Sequence, residues 1–330
     1  MRSETAARVL DAAKRLGYVV NPIARSLKTS RSSSIGVVIP DLTNALFPPI
    51  MRGIDNVLEP LGYIPLLVNT DNDKEREAKQ VAALRARQVE GLIVGTALLS
   101  DPGLERLAAE GFPVVLINRR TESSILPTVA GDNVAGVNLA VDYLVGLGHR
   151  RIAFLAGPQT TWTGQVRLRA YRNALQDHKI AYDEALVVFT EQFIETEGAR
   201  GTRELLDRNV PFTALIAGND LHALGCFDVF AERGIRCPED VSVTGFNDMP
   251  FVDKLSPALT TIHIPQYEVG REAARMLIER INAKADVPAK SVLLPVELVI
   301  RGSAAAPASA DRNGGAPAGR PARRATTTAV

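Results

Sequence analysis

The chain has 330 residues, 46% of them hydrophobic, enough to bury two cores of ordinary size but too many for one small domain. Its net charge of +1 is unevenly spread: residues 1–35 hold seven Lys/Arg against two Asp/Glu, residues 303–330 hold four against one, and the body between is acidic, so any nucleic acid would be met at an end. Cys226 and Cys237 form no CxxC, the first thirty residues are too charged for a secretory leader, and no apolar run is long enough to span a membrane; a soluble, cytoplasmic protein without a disulfide framework is expected.

In chain order, residues 4–18 form an amphipathic helix, with Val9, Ala12, Ala13 and Leu16 at helical spacing and Gly17 as its stop. From Ile35 onward short β-branched runs alternate with longer helical periods. Strands are predicted at 35–39, 64–69, 91–94, 114–117, 151–156, 214–217 and 241–245, and helices at 48–61, 75–87, 134–147, 166–178, 196–207 and 220–233. Continuously apolar strands between amphipathic helices mean parallel sheets covered on both faces, an α/β class. Gly131-Asp132-Asn133 interrupts the pattern, and a new βα series starts at Arg151, so two doubly wound, Rossmann-like lobes are expected. Residues 303–330 contain almost no large apolar side chain to offset the entropy of ordering and are read as a disordered tail.

Ligands of open parallel sheets sit beyond the carboxyl ends of the strands, so the loops after strands carry the candidate site. The first lobe offers Asp41 and Phe47 after its first strand, Asn69 after the second, and Asn118 and Arg119 after the fourth. The second offers Trp162, Arg167, Phe193, Asn219, Asn247 and Asp248. Planar amide, carboxylate and guanidinium groups interleaved with aromatic rings suit a polyhydroxylated ring, making a carbohydrate the favoured ligand. Taken singly, Phe47 and Phe193 fit a core role and Asn219 a helix cap. There is no GxGxxG after the first strand, no GxxxxGK[ST], HExxH or GxSxG, and the four histidines are scattered; no catalytic residue, metal or cofactor is assigned.

Several ordered segments carry a resemblance: residues 4–18 followed by Asn21-Pro22-Ile23-Ala24-Arg25-Ser26-Leu27-Lys28, then Ile35-Gly36-Val37-Val38-Ile39-Pro40-Asp41, Leu147-Gly148-His149-Arg150-Arg151-Ile152, Leu155-Ala156-Gly157-Pro158, Gly218-Asn219-Asp220, Val241-Ser242-Val243-Thr244-Gly245-Phe246-Asn247-Asp248 and Leu259-Thr260-Thr261-Ile262. Together they resemble the lactose-repressor-type (LacI/GalR) transcriptional regulators over about residues 3–302. The resemblance implies two lobes of periplasmic-binding-protein-like type I fold behind the remnant of an all-α headpiece. It divides the chain into a third headpiece helix at 1–20, a hinge helix and linker at 21–33, a first lobe at 34–133 plus about 263–290, and a second lobe at 134–262 plus about 291–302. The two headpiece helices that precede the third in this family, including the recognition helix, would fall before Met1; a start assigned at an internal codon is the favoured explanation.

By the same resemblance, the hinge helices of a homodimer enter the minor groove of an operator. Leu27 would wedge between base steps, Ala24 allow close helix approach, and Arg25 and Lys28 neutralise phosphates. Arg167, Phe193, Asn219 and Asn247 fall on the principal effector positions, Phe47 on an aromatic wall and Asn118 on a polar contact, while Asn247 stands where many members carry Asp. The implied function is a repressor whose operator affinity is set by a small ligand between the lobes. A transporter's solute receptor, or an enzyme acting on sugars or nucleosides, would share such a cleft.

Overall fold

The computed structural model describes residues 11, 12, 15, 32–123, 125–283 and 287–308. Asp11, Ala12 and Arg15 are helical, with Arg15 3.6 Å from Asp11 one turn earlier. The rest of the predicted 4–18 helix, and the hinge residues Ala24, Arg25, Leu27 and Lys28, lie outside the described residues.

Two six-stranded sheets dominate. The first contains β1 (Ser34–Ile39), β2 (Ile64–Asn69), β3 (Leu92–Val94), β4 (Val114–Ile117), β5 (Thr128–Gly131) and β11 (Ser291–Leu294), in the order β11-β5-β4-β3-β1-β2 and parallel throughout. The second contains β6 (Ile152–Ala156), β7 (Val187–Phe189), β8 (Ala214–Ile216), β9 (Ser242–Asn247), β10 (Thr260–His263) and β12 (Glu297–Val299), in the order β12-β10-β9-β8-β6-β7. Only β12 runs antiparallel to its neighbour there, pairing Leu298 with Ile262.

Burial on both faces explains why the central strands are apolar without alternation. In β1, Ile35, Val37 and Ile39 join one core while Val38 joins another; in β6, Ile152, Phe154 and Ala156 face one way and Ala153 and Leu155 the other. Helices α1 (Phe47–Leu58) and α8 (Gln266–Asn282) cover one face of the first sheet, and α2 (Lys74–Ala86) and α3 (Pro102–Ala109) the other. The second sheet lies between α4 (Asn133–Gly146) with α5 (Trp162–Asp177) and α6 (Glu195–Asp207) with α7 (Asp220–Arg233). Side-chain caps fix several helix starts at strand ends: Asp73 on α2, Asp101 on α3, Asp132 on α4, Thr161 on α5 and Asn219 on α7.

The α1–α8 crossing is set by glycines. A Cβ on Gly53 would overlap the Tyr267 carbonyl oxygen, and one on Gly270 would overlap that of Ile50, so each helix backbone rests directly on the other.

The chain passes between the lobes three times, after β5, after β10 and after β11. The third passage corrects the expectation that 291 onward belongs to the second lobe: Ser291–Leu294 pairs with Thr128–Gly131 in the first sheet, and only from Glu297 does the chain rejoin the second. The tail also begins later than expected. Ser303 is fully buried, its Oγ donating to Val243 O at 2.7 Å and accepting from Thr260 N at 2.8 Å, while Ala305 O accepts from Ser242 Oγ at 3.0 Å and bonds His149 Nε2 at 2.9 Å. Small residues order here because a ready-made groove of backbone partners supplies what their own side chains lack. Residues 309–330 lie outside the described residues.

Ser303→Ala leaves Thr260 N–H and Val243 C=O buried without their Oγ partner, at a cost of about 1–3 kcal/mol. Urea unfolding followed by fluorescence of Trp162, the chain's one tryptophan, reports it as a lower midpoint with unchanged slope.

Candidate functional site

In each sheet the strand order reverses direction beside one strand, between β1 and β3 in the first and between β6 and β8 in the second. Loops leaving neighbouring strands at such a point diverge to opposite faces and open a crevice. The two crevices face one another and form a cavity of about 320 Å3. Asp41, Phe47, Gly95 and Thr96 line it from the first switch point, and Pro158, Thr161 and Asn219 from the second.

Eight of the eleven residues predicted for the site line this cavity: Asp41, Phe47, Asn118, Arg119, Arg167, Phe193, Asn219 and Asn247. Asn69, Trp162 and Asp248 do not. Asn69 braces the loop after β1, accepting from Leu42 N at 3.0 Å and donating to Asp71. Trp162 opens α5 between Thr161 and Thr163, both of which line the cavity. Asp248 faces Arg301 at 2.7 Å and His263 at 3.1 Å. Asn247 and Asp248 both take positive φ, 121° and 53°, so the backbone leaves the extended conformation at the end of β9 and the two side chains part.

Arg167 is anchored within the protein. Nε donates to Asn133 Oδ1 at 2.7 Å, Nη1 donates to Gly218 O at 2.6 Å, and the guanidinium lies 3.5 Å from the Phe246 ring centroid. Burial, then the positive charge of Arg119, holds its pKa down to about 9. Phe193 stands between the two cations, 5.7 Å from the Arg119 guanidinium and 5.9 Å from that of Arg167. Asn219 does what its capping role requires, accepting from His222 N at 2.9 Å, and it also donates to Phe193 O at 3.2 Å, which fixes the aromatic in the cavity wall.

Sequence reasoning missed Asn133, Thr96 and Gln192. Asp132 caps α4, and Asn133 beside it turns inward to hold Arg167. Thr163 joins the lobes, its Oγ1 donating to Asn118 O at 2.8 Å, and a second bond across the cleft runs from Leu99 N to Thr160 O at 3.0 Å. Neither pairing leaves a local pattern in the sequence.

Behind the cavity wall, two buried groups on α7 titrate in opposite senses. Asp220 accepts from Thr261 Oγ1 at 2.5 Å and Met249 N at 2.8 Å, yet burial pushes its pKa up to about 6. His222 bonds Gln192 O at 2.8 Å, and burial pulls it down to about 4. Between about pH 4 and 6 the native Asp220 holds a proton that an unfolded carboxyl has released, so its contribution to stability falls as pH rises. Between about pH 6.5 and 4 an unfolded histidine takes up a proton that native His222 refuses, so its contribution falls as pH drops. The two slopes oppose each other in the native protein. His222→Gln should therefore be more stable at pH 4.5 than at 6.5 and Asp220→Asn the reverse, by about 2–3 kcal/mol in urea unfolding; parallel pH profiles in the two variants would contradict this pairing.

Comparison with known proteins identifies relatives for this architecture. Residues 141–304 match the family model of the periplasmic binding protein-like domain. The ribose operon repressor of Halalkalibacterium halodurans is 32% identical over 89% of this chain and 86% of its own length. The HTH-type transcriptional repressor CytR of Escherichia coli K12 is 33% identical over 90% of this chain and 86% of its own. Among solved structures, the transcriptional regulator CelR–cellobiose complex superposes with a TM-score of 0.77 at 30% identity, covering 92% of this chain and 91% of that one. Similarity of this degree along nearly the whole length of named repressors, joined to the two-lobed fold, shows that the chain belongs to the LacI family of transcriptional regulators.

Proposed function

We propose that the protein is a cytoplasmic, homodimeric repressor whose grip on an operator is set by a small carbohydrate bound between its lobes. The observation that carries the reading is the cavity itself, where Phe47 and Phe193 offer ring faces and Asn118, Arg119, Arg167 and Asn247 offer planar polar groups. That is the chemistry of a sugar, apolar on its C–H faces and rich in paired hydroxyls at its edge. The cellobiose held by CelR and the ribose operon named for the Halalkalibacterium relative are consistent with it.

A dimer suits the apolar surface on the first lobe, where Leu61, Ile64 and Leu67 stand exposed on and beside the edge strand β2. Among the described residues no helix is long and apolar enough to cross a membrane. Named repressors as relatives favour regulation over catalysis. In this mechanism Ala24, Arg25, Leu27 and Lys28 engage the minor groove, and a change in lobe geometry orders or melts the paired hinges. Coupling is reciprocal, so a sugar that loosens DNA binds less tightly to the DNA-bound form.

The test is titration of a labelled operator, selected from random-sequence DNA with the start-extended chain that the resemblance calls for, in the presence and absence of a panel of mono- and disaccharides. At least one sugar should move the midpoint about tenfold, a coupling of about 1.4 kcal/mol. Superimposable curves throughout would defeat the sensing claim.

A further inference from the structure

The cavity holds two guanidinium groups; Asp220, buried behind the wall, offers Arg167 a countercharge without direct contact, and Arg119 has no such counterpart among the described residues. Arg167 bonds only neutral partners, the Asn133 amide and the Gly218 carbonyl. Arg119 enters from the opposite lobe, after β4, and its Nη1 is buried without a hydrogen-bond partner. Beside it, Asn118 Nδ2 and Thr96 Oγ1 are also buried and unpartnered. The carboxylates of the cavity wall are engaged or exposed: Asp41 accepts from Thr43 N and Oγ1, Glu77 pairs with Lys74 at 2.8 Å, and Glu191 is solvent-exposed. Among the described residues no carboxylate forms an ion pair with either guanidinium. Burial holds the Arg119 pKa down to about 10, so both groups remain charged at neutral pH.

Asp220 offsets part of the Arg167 charge, but the charge on Arg119, half-buried with Nη1 fully covered, has no counterpart, and a neutral sugar would satisfy the N–H groups while leaving it unmatched. An oxyanion does both, because its paired oxygens match the guanidinium fork. We infer that the effector is a sugar derivative bearing an oxyanion, a carboxylate or a phosphate, seated between Arg119 of the first lobe and Arg167 of the second. The inference rests on the carbohydrate reading and narrows it. Since each lobe supplies one cation, the anion also relieves a repulsion that opposes closure, which makes it part of the signal and not only of the affinity.

Calorimetric titration of the full chain with matched probes tests this: D-glucose against D-glucuronate and D-glucose 6-phosphate, D-ribose against D-ribose 5-phosphate, and inorganic phosphate alone. An anionic member should bind on the order of tenfold more tightly than its neutral partner, and whether glucuronate or a phosphate ester wins distinguishes the two oxyanions. Arg119→Gln should erase that preference while raising the melting temperature of the unliganded protein by roughly 2 °C, since a half-buried unmatched charge is removed. Arg119→Lys should retain a reduced preference, because it keeps the charge and loses the fork. Neutral sugars binding as tightly as their anionic partners, or a preference untouched in Arg119→Gln, would overturn the inference and leave the carbohydrate reading standing. Saturable binding by none of the probes would remove both, and saturation by inorganic phosphate alone would keep the anion site while removing the sugar.

Discussion

Arg167→Met should retain a folded protein that no longer responds to its effector. The side chain is fixed at three points, by Asn133, Gly218 and the Phe246 ring, so its remaining N–H groups reach the cavity without an entropic cost at the moment of binding. Removing a charged donor held in this way should weaken ligand by about 2–3 kcal/mol, or 30- to 150-fold. Operator release should then require correspondingly more ligand. Stability should change less than affinity, because the orphaned Asn133 and Gly218 acceptors are offset by loss of a desolvated cation that Arg119 repels. Calorimetry with the best-binding sugar, beside urea unfolding of the unliganded variant, separates the two effects. Arg167→Lys should behave like Met in affinity, since an ammonium cannot reach both acceptors and the ligand from one planar group.

The second large effect is expected far from the ligand, where α1 crosses α8. Gly53→Ala or Gly270→Ala places a methyl group against a backbone carbonyl of the facing helix, which cannot yield as a side-chain tip would. The helices must separate, and the core residues Ile50, Ile54, Val269 and Ala273 between them lose contact. A loss of about 3 kcal/mol or more is expected, seen as a lower urea midpoint or as insoluble protein. Gly146→Ala is the control, because no atom lies near its Cβ position at the end of α4; there the substitution should be neutral or add up to about 1 kcal/mol. Equal behaviour of Gly53→Ala and Gly146→Ala would refute the crossing as drawn.

What could be read in the residues follows from burial. Strands sandwiched by helices, such as Ile152–Ala156, must be apolar throughout and stand out. Val187–Phe189 lies in an equally apolar run, 185–189, that is passed over because the strand itself is only three residues long, while Glu297–Val299 is short and partly exposed. Helix α8 carries a clear apolar face but escaped the element list, while α5 begins four residues earlier than predicted because Thr161, and no later residue, caps it. For the site, residues following strands were recoverable because topology alone puts them at the cleft. Asn133 was not, because its partner Arg167 lies 34 residues away in sequence and meets it only through tertiary packing. Asp248 shows the converse: its neighbour lines the cavity, and the positive-φ backbone at the end of β9 turns it toward Arg301 instead.

The three passages between lobes constrain how the molecule can be made. The outermost strand of each sheet opposite β2 and β7 comes from residues 291–299, so on a ribosome neither half can finish until nearly all of the polypeptide has emerged. Cleavage at the first passage alone would strand α8 and β11 on the C-terminal fragment and leave the first lobe without one covering helix and its outer strand, so the first lobe cannot mature without the polypeptide that follows the second.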